Sequence, residues 1–303
     1  MFETLKNVFR VKEMRRKLLY LIWMIFIIRI GCQIPVPGVD SDFFKQWFSS
    51  NAGDAFNFFD AFTGGSFERM SIFALNITPY ITSSIIIQLL TIAIPALEEM
   101  QRDGEEGRKK MTAITRYVTV GLALFESIAM AIGFGRQGMI PNLDFFKGVV
   151  VVACLTAGSA MLMWLGERIT EKGVGNGISI VLTINIISRV PSDLTLLYEN
   201  FIKGKTIAKG TLAGLIIAAV ILLVVVLVLI LNGAERRIPV QYSKKMVGRK
   251  LMGGQSTNIP LKVNTAGVIP VIFASSIMSF PAVIAQLTGK GNGTGIGSEI
   301  IRG

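Results

Sequence analysis

The chain has 303 residues, of which 51% are hydrophobic and 17% charged, with 31 Lys and Arg against 20 Asp and Glu for a net charge of +11. Charge that far below the roughly 25% of a soluble domain points to a membrane protein, and at about 40 residues per span and loop the length suggests about seven spans. No His and only two cysteines, Cys32 and Cys154, occur, which excludes imidazole triads, His-held zinc or haem, and a disulfide framework.

Residues 1–17 form a basic tail ahead of the first apolar run, Leu18 to Ile34. Ile30-Gly31-Cys32 faintly resembles a lipoprotein cleavage box, but Arg29 interrupts the run and further spans follow, so the tail reads as retained. Next, Asp54 to Met70 places Phe56, Phe59 and Phe62 three residues apart, on one face of a short helix that Gly64 and Gly65 would end. Too short to span, it is either an interfacial helix or a piece folded back into a cavity.

The second run, Ile72 to Leu97, carries Asn76, Thr78, Pro79, Thr82, Ser83, Ser84, Gln88 and Thr91. The seventh, Ala266 to Leu287, carries Pro270, Ser275, Ser276, Ser279 and Pro281. Unpaired amides and hydroxyls are costly in hydrocarbon, so these helices either border an interior path or are glued to neighbours by their polar side chains. The third and fourth runs are Tyr117 to Phe134 and Val149 to Leu165. Gly173 to Gly177 has no strand before it and reads as a tight turn into a short fifth span, Ile178 to Val190, rather than a dinucleotide loop. The sixth run is Leu212 to Leu231.

With seven spans and the N-terminus in the cytoplasm, Lys and Arg favour the cytoplasmic segments about two to one. Most distinctive is the loop Gly233 to Asn264, with Arg236, Arg237, Lys244, Lys245, Arg249, Lys250 and Lys262 against one acid, Glu235. It is either a solvated positive-inside loop or a docking surface for a polyanion. Arg29 and Glu126 are the charges deep within spans, each about 17 Å in at 1.5 Å per residue, and matching depth suggests an intramembrane ion pair. No P-loop and no carboxylate cluster occurs, so the chain reads as a non-enzyme without a cofactor whose energy comes from a partner. A secondary transporter of a small solute is the alternative.

Several stretches resemble the SecY family of channel subunits: Ile34-Pro35-Val36-Pro37-Gly38, Ser71-Ile72-Phe73-Ala74-Leu75, Pro79-Tyr80-Ile81, Met163-Trp164-Leu165-Gly166-Glu167, Gly175-Asn176-Gly177-Ile178-Ser179, Gln255-Ser256-Thr257 and Pro260-Leu261-Lys262-Val263-Asn264, the last continuing through Ala266 to Pro270 and Ile272 to Ser276. The resemblance implies an all-α polytopic membrane protein, an inverted-repeat helix bundle around an hourglass pore, made of an N-terminal half over 18–190 and a C-terminal half over 191–303 with an external tail at 288–303. It also implies a pore ring of Ile77, Ile81, Ile178, Leu182 and Ile272, a plug helix at about 56–70, and a lateral gate including Thr82, Gln88, Ser275, Ser276 and Phe280. An aliphatic collar offers ions no substitute for their hydration yet yields to a passing polypeptide. The implied partners are SecE and SecG, the lipid bilayer, the substrate polypeptides, and SecA or the ribosome docked on Arg236, Arg237, Arg249 and Lys250; the implied place is the bacterial cytoplasmic membrane. The family has ten spans, so a chain ending after the seventh is expected to be a truncation or a fragment.

Overall fold

The computed structural model describes residues 10–41, 43–46, 60–136, 138, 140, 144–203, 207–240, 245–247, 250–252, 257–265, 267 and 274. They are mostly helical: α1 Lys12–Gly31, α2 Thr78–Ala93, α3 Pro95–Arg102, α4 Gly104–Arg136, α5 Phe145–Lys172, α6 Gly177–Phe201 and α7 Ile207–Gly233, followed by strands β1 Glu235–Val240, β2 Lys245–Val247, β3 Lys250–Met252 and β4 Thr257–Lys262. Helices α4 to α7 are each long and apolar enough to cross a membrane, and the bent pair α2 and α3 makes a fifth candidate. The seventh apolar run lies almost wholly outside the described residues, and with it Ile272, Ser275, Ser276 and Phe280. Two compact units emerge, one within Met1–Pro191 and one within Ser192–Ile272.

In the first unit the expected second span is not one straight helix. Residues 64–77 run through successive turns, and α2 begins only at Thr78 with Pro79 in its first turn. At the other end Pro95 holds Ile94 extended, at φ −112° and ψ 111°, and the axis turns by 103° into α3. Hydropathy runs straight through this break because Ile94, Ala96 and Leu97 are apolar. The Ile-Pro-Val motif also has a local role: Val36 N donates to Met70 O at 2.9 Å and Ile72 N to Ile34 O at 3.0 Å, tying the end of α1 to the approach to α2.

Two apolar clusters hold this unit together. One joins Val36, Phe44, Phe67, Met70, Leu75, Phe134 and Leu155, with the rings of Phe44, Phe67 and Phe134 meeting edge to face at 5.0–6.1 Å between centroids. The other gathers Ile28, Phe73, Ile77, Leu162, Leu165, Ile169 and Val181 from α1, α2 with its approach, α5 and α6.

The turn between α5 and α6 forms as expected. Gly175 takes φ +74°, Asn176 Oδ1 accepts from Ile178 N at 3.1 Å as an N-terminal cap, and Thr170 Oγ1 accepts from Gly177 N at 2.9 Å. Gly177 is required for a different reason: a Cβ there would overlap the carbonyl oxygen of Gly166, so the two helices can approach this closely only without a side chain.

In the second unit none of the apolar window of α7 is buried. The basic loop after it, expected as a loop, is a β-ribbon: β1 pairs antiparallel with β4, Glu235 opposite Lys262 and Val240 opposite Thr257, and β2 pairs with β3.

The glycine contact generates a prediction. Gly177→Val should lower stability in detergent by about 2 kcal/mol through overpacking, whereas Gly148→Ala, which meets open space in α5, should stay within about 0.5 kcal/mol of the parent; thermal unfolding of the two variants checks this.

Candidate functional site

The second apolar cluster contains three of the five residues expected to form a ring. Ile77 is completely buried, and Ile81 and Ile178 pack on the same cluster half-buried. Leu182 is half-buried and does not join it, and Ile272 lies outside the described residues. Ile77 and Ile81 face the cluster because they lie four apart across the start of α2, and Ile178 meets them at the first turn of α6. Val181, which sequence reasoning passed over, is also buried in it. Its signal was its spacing, three residues after Ile178 on the same helical face.

The Phe-rich segment packs on the first apolar cluster through Phe67 and Met70 and reaches this one at Asn76, next to Ile77. Of its expected residues, Phe56 and Phe59 lie outside the described residues, while residues 60–63 form a helical turn that ends at Gly64 and Gly65, with φ of +69° and +80°. Residues 64–70 run through turns, so among the described residues the helix expected at about 56–70 does not continue past Thr63, because the two left-handed glycines end it. The segment is folded back on the bundle rather than exposed: Asp60, Thr63, Ser66, Phe67 and Met70 are all buried.

The contacts that hold it are polar, and they were missed in the sequence. Asn76 Nδ2 donates to Phe62 O at 2.8 Å, and Asn185 Nδ2 donates to Asn76 Oδ1 at 3.1 Å. Ser159 Oγ donates to Asn76 O at 3.3 Å. Asp60 Oδ1 accepts from Glu68 N at 2.9 Å and from Thr63 Oγ1 at 3.2 Å, and the same carboxylate forms an ion pair with Arg189 of α6. Glu68 stands 3.9 Å from the same guanidinium. The sequence does place Asn185 and Arg189 one helical turn apart in the short fifth span, which marks the two residues but not their partners.

The polar residues of α2 act in part as helix glue. The hydroxyls of Ser83 and Thr119 lie 2.6 Å apart and join α2 to α4, while Thr156 Oγ1 donates to Ser127 Oγ at 3.1 Å between α5 and α4. Thr82 is half-buried and Gln88 exposed. A fork of two bonds, Arg116 Nε to Glu167 Oε1 at 2.9 Å and Nη2 to Oε2 at 2.8 Å, gives the Glu of Met163-Trp164-Leu165-Gly166-Glu167 a partner on α4.

The Arg29–Glu126 ion pair expected from matching depth does not form: Arg29 Nη1 is buried without a hydrogen-bond partner, and no salt bridge joins the two among the described residues. Depth along two helices sets height and leaves the direction around each axis free. Arg236 and Arg237 are exposed on β1, Lys250 begins β3, and Arg249 lies outside the described residues. Among the described residues no three acids or cysteines gather as metal ligands.

These features define a multi-pass helical membrane protein with a folded-back segment packed on its helices. The SecY family model matches residues 71–301. The chain is 44% identical over 298 residues to protein translocase subunit SecY of Halalkalibacterium halodurans, covering 96% of this chain and 68% of that protein. It is 43% identical over 285 residues to the same subunit of Escherichia coli K12, covering 93% and 64%. The chain belongs to the SecY family, and it spans about two thirds of the length of these relatives. Its fold resembles a solved protein-conducting channel, at a TM-score of 0.59 and 18% identity over 91% of this chain and 59% of the other. It also resembles Sec61 in the canine ribosome-channel complex from the endoplasmic reticulum, at 0.57 and 18% over 91% and 59%.

The hydroxyl contact between α2 and α4 is testable. A double-mutant cycle with Ser83→Ala and Thr119→Ala, read by unfolding in detergent, should give a coupling of about 0.6 kcal/mol, the usual size for a hydrogen bond between membrane helices.

Proposed function

We propose that this chain supplies the pore-lining part of a passive protein-conducting channel, for secretion across the bacterial cytoplasmic membrane and lateral insertion into it. The observation that carries the reading is the convergence of Ile77, Ile81 and Ile178 in one aliphatic cluster beside a folded-back segment. In this reading Ile77, Ile81, Ile178, Leu182 and Ile272 form the constriction, which excludes ions because it cannot replace their hydration. Residues 56–70 act as the plug, and α2 with the seventh apolar run forms walls of the lateral gate through Thr82, Gln88, Ser275, Ser276 and Phe280. Membership in a family of translocase subunits supports this reading over a solute transporter.

Opening needs energy from outside, because the collar holds no group that could do chemistry. The N-terminus faces the cytoplasm, which puts the β-ribbon on the side where SecA or the translating ribosome would dock. SecE and SecG complete the complex. The paired strands present cations beyond the end of α7, with Arg236 and Arg237 on β1 and Lys250 on β3.

Two experiments test this. A secretory chain stalled during transport should crosslink to a cysteine placed at Ile81; solute uptake with no crosslink would support a transporter instead. Reversing Arg249 and Lys250 to Glu should weaken binding of both SecA and the ribosome by about tenfold or more while leaving the protein inserted; unchanged binding of both would remove the ribbon from docking.

A further inference from the structure

We infer that Arg189 and Asn185 of α6 form a polar latch that positions the plug segment and sets how readily it leaves. This inference rests on the channel reading above. The two residues lie one helical turn apart and so face the same way. Arg189 takes the fully buried carboxylate of Asp60, and Asn185 takes Asn76, which in turn holds the carbonyl of Phe62. Gly64 lies against the same stretch of helix: a Cβ there would stand 2.6 Å from Asn185 O and 3.0 Å from Ser188 Oγ. The segment is thus held against one face of α6 at residues 60 and 64, and at residue 62 through Asn76, which Asn185 of α6 holds in turn.

The chemistry suits a latch rather than a permanent weld. Asp60 also closes its own turn, accepting from Glu68 N and Thr63 Oγ1, so the carboxylate is organised for Arg189 before docking. When the segment is seated, each buried charge is compensated by the other; removing one alone strands its partner in low dielectric. When the segment leaves for water, Asp60 exchanges the guanidinium for solvent, and hydrogen-bond exchange of that kind has a small net cost. Arg189 remains one-fifth exposed, and Glu68 stands close enough to take up its charge. An apolar contact of the same area would have no such exchange partner in water.

The test uses the full protein in its assembled complex, reconstituted in planar bilayers, with deletion of 60–70 as the reference open channel. Arg189→Glu should raise resting ion conductance about tenfold or more, Arg189→Lys should stay near the parent, and the swapped pair Asp60→Arg with Arg189→Asp should return towards it. If the deletion conducts and Arg189→Glu conducts no more than the parent, the latch is wrong while the channel reading stands. If the deletion itself fails to conduct, the channel reading falls and the latch with it. A milder variant guards against misfolding: in a background with Cys32→Ser and Cys154→Ala, a cysteine at buried Ser66 should react with maleimide about tenfold faster in Arg189→Gln than in the parent. An unchanged rate would overturn the proposal.

Discussion

One buried residue, Asn76, fixes most of the first unit. Its backbone is left-handed, at φ +52°, a conformation that asparagine tolerates better than most side chains because it can hydrogen-bond locally. That reversal ends the chain of turns from Gly64 and lets α2 start at Thr78. The side chain meanwhile contacts Phe62 and Asn185, and the carbonyl accepts from Ser159. A folded-back segment, the start of α2, α5 and α6 are therefore referenced to a single residue. In an apolar interior each such bond is costly to leave unmade, so the network specifies one arrangement more sharply than aliphatic packing does.

The aliphatic cluster is placed by this junction. Ile77 follows Asn76 directly, and Ile81 follows one turn later, so once Asn76 is fixed the cluster's position on α2 is set. Ile178 is fixed from the other direction, by the Asn176 cap and by the absence of a side chain on Gly177, which lets α6 start against α5. A polar anchor and a glycine contact thus deliver three isoleucines to one place.

The fold was legible wherever long apolar runs coincide with single helices, as for α4, α5 and α7, and α6 was legible through its glycine-rich start. The break at Ile94 was hidden because the residues around Pro95 are apolar, and hydropathy measures composition rather than direction. The ribbon was hidden because β1 and β4 are almost wholly exposed and each carries a proline, so neither shows the apolar alternation that announces a strand. Ile77, Ile81 and Ile178 came from resemblance to a family, since in a chain half apolar no periodicity singles out three isoleucines. The polar grip on the segment from 60 to 76 was out of reach, because its partners are 109 residues apart in the Asn76–Asn185 bond and nothing in a single sequence pairs them.

The most direct test of the account is the distance between the segment and α6 in the resting protein. With Cys32 and Cys154 replaced, spin labels at Ala61 and Ile187 in the reconstituted full protein should give a single narrow distance distribution by pulsed electron resonance, because on either side of the label Asp60 is held by Arg189 of α6 and Phe62 by Asn76, itself bound to Asn185. A broad or long distribution, with the segment free of α6, would contradict it.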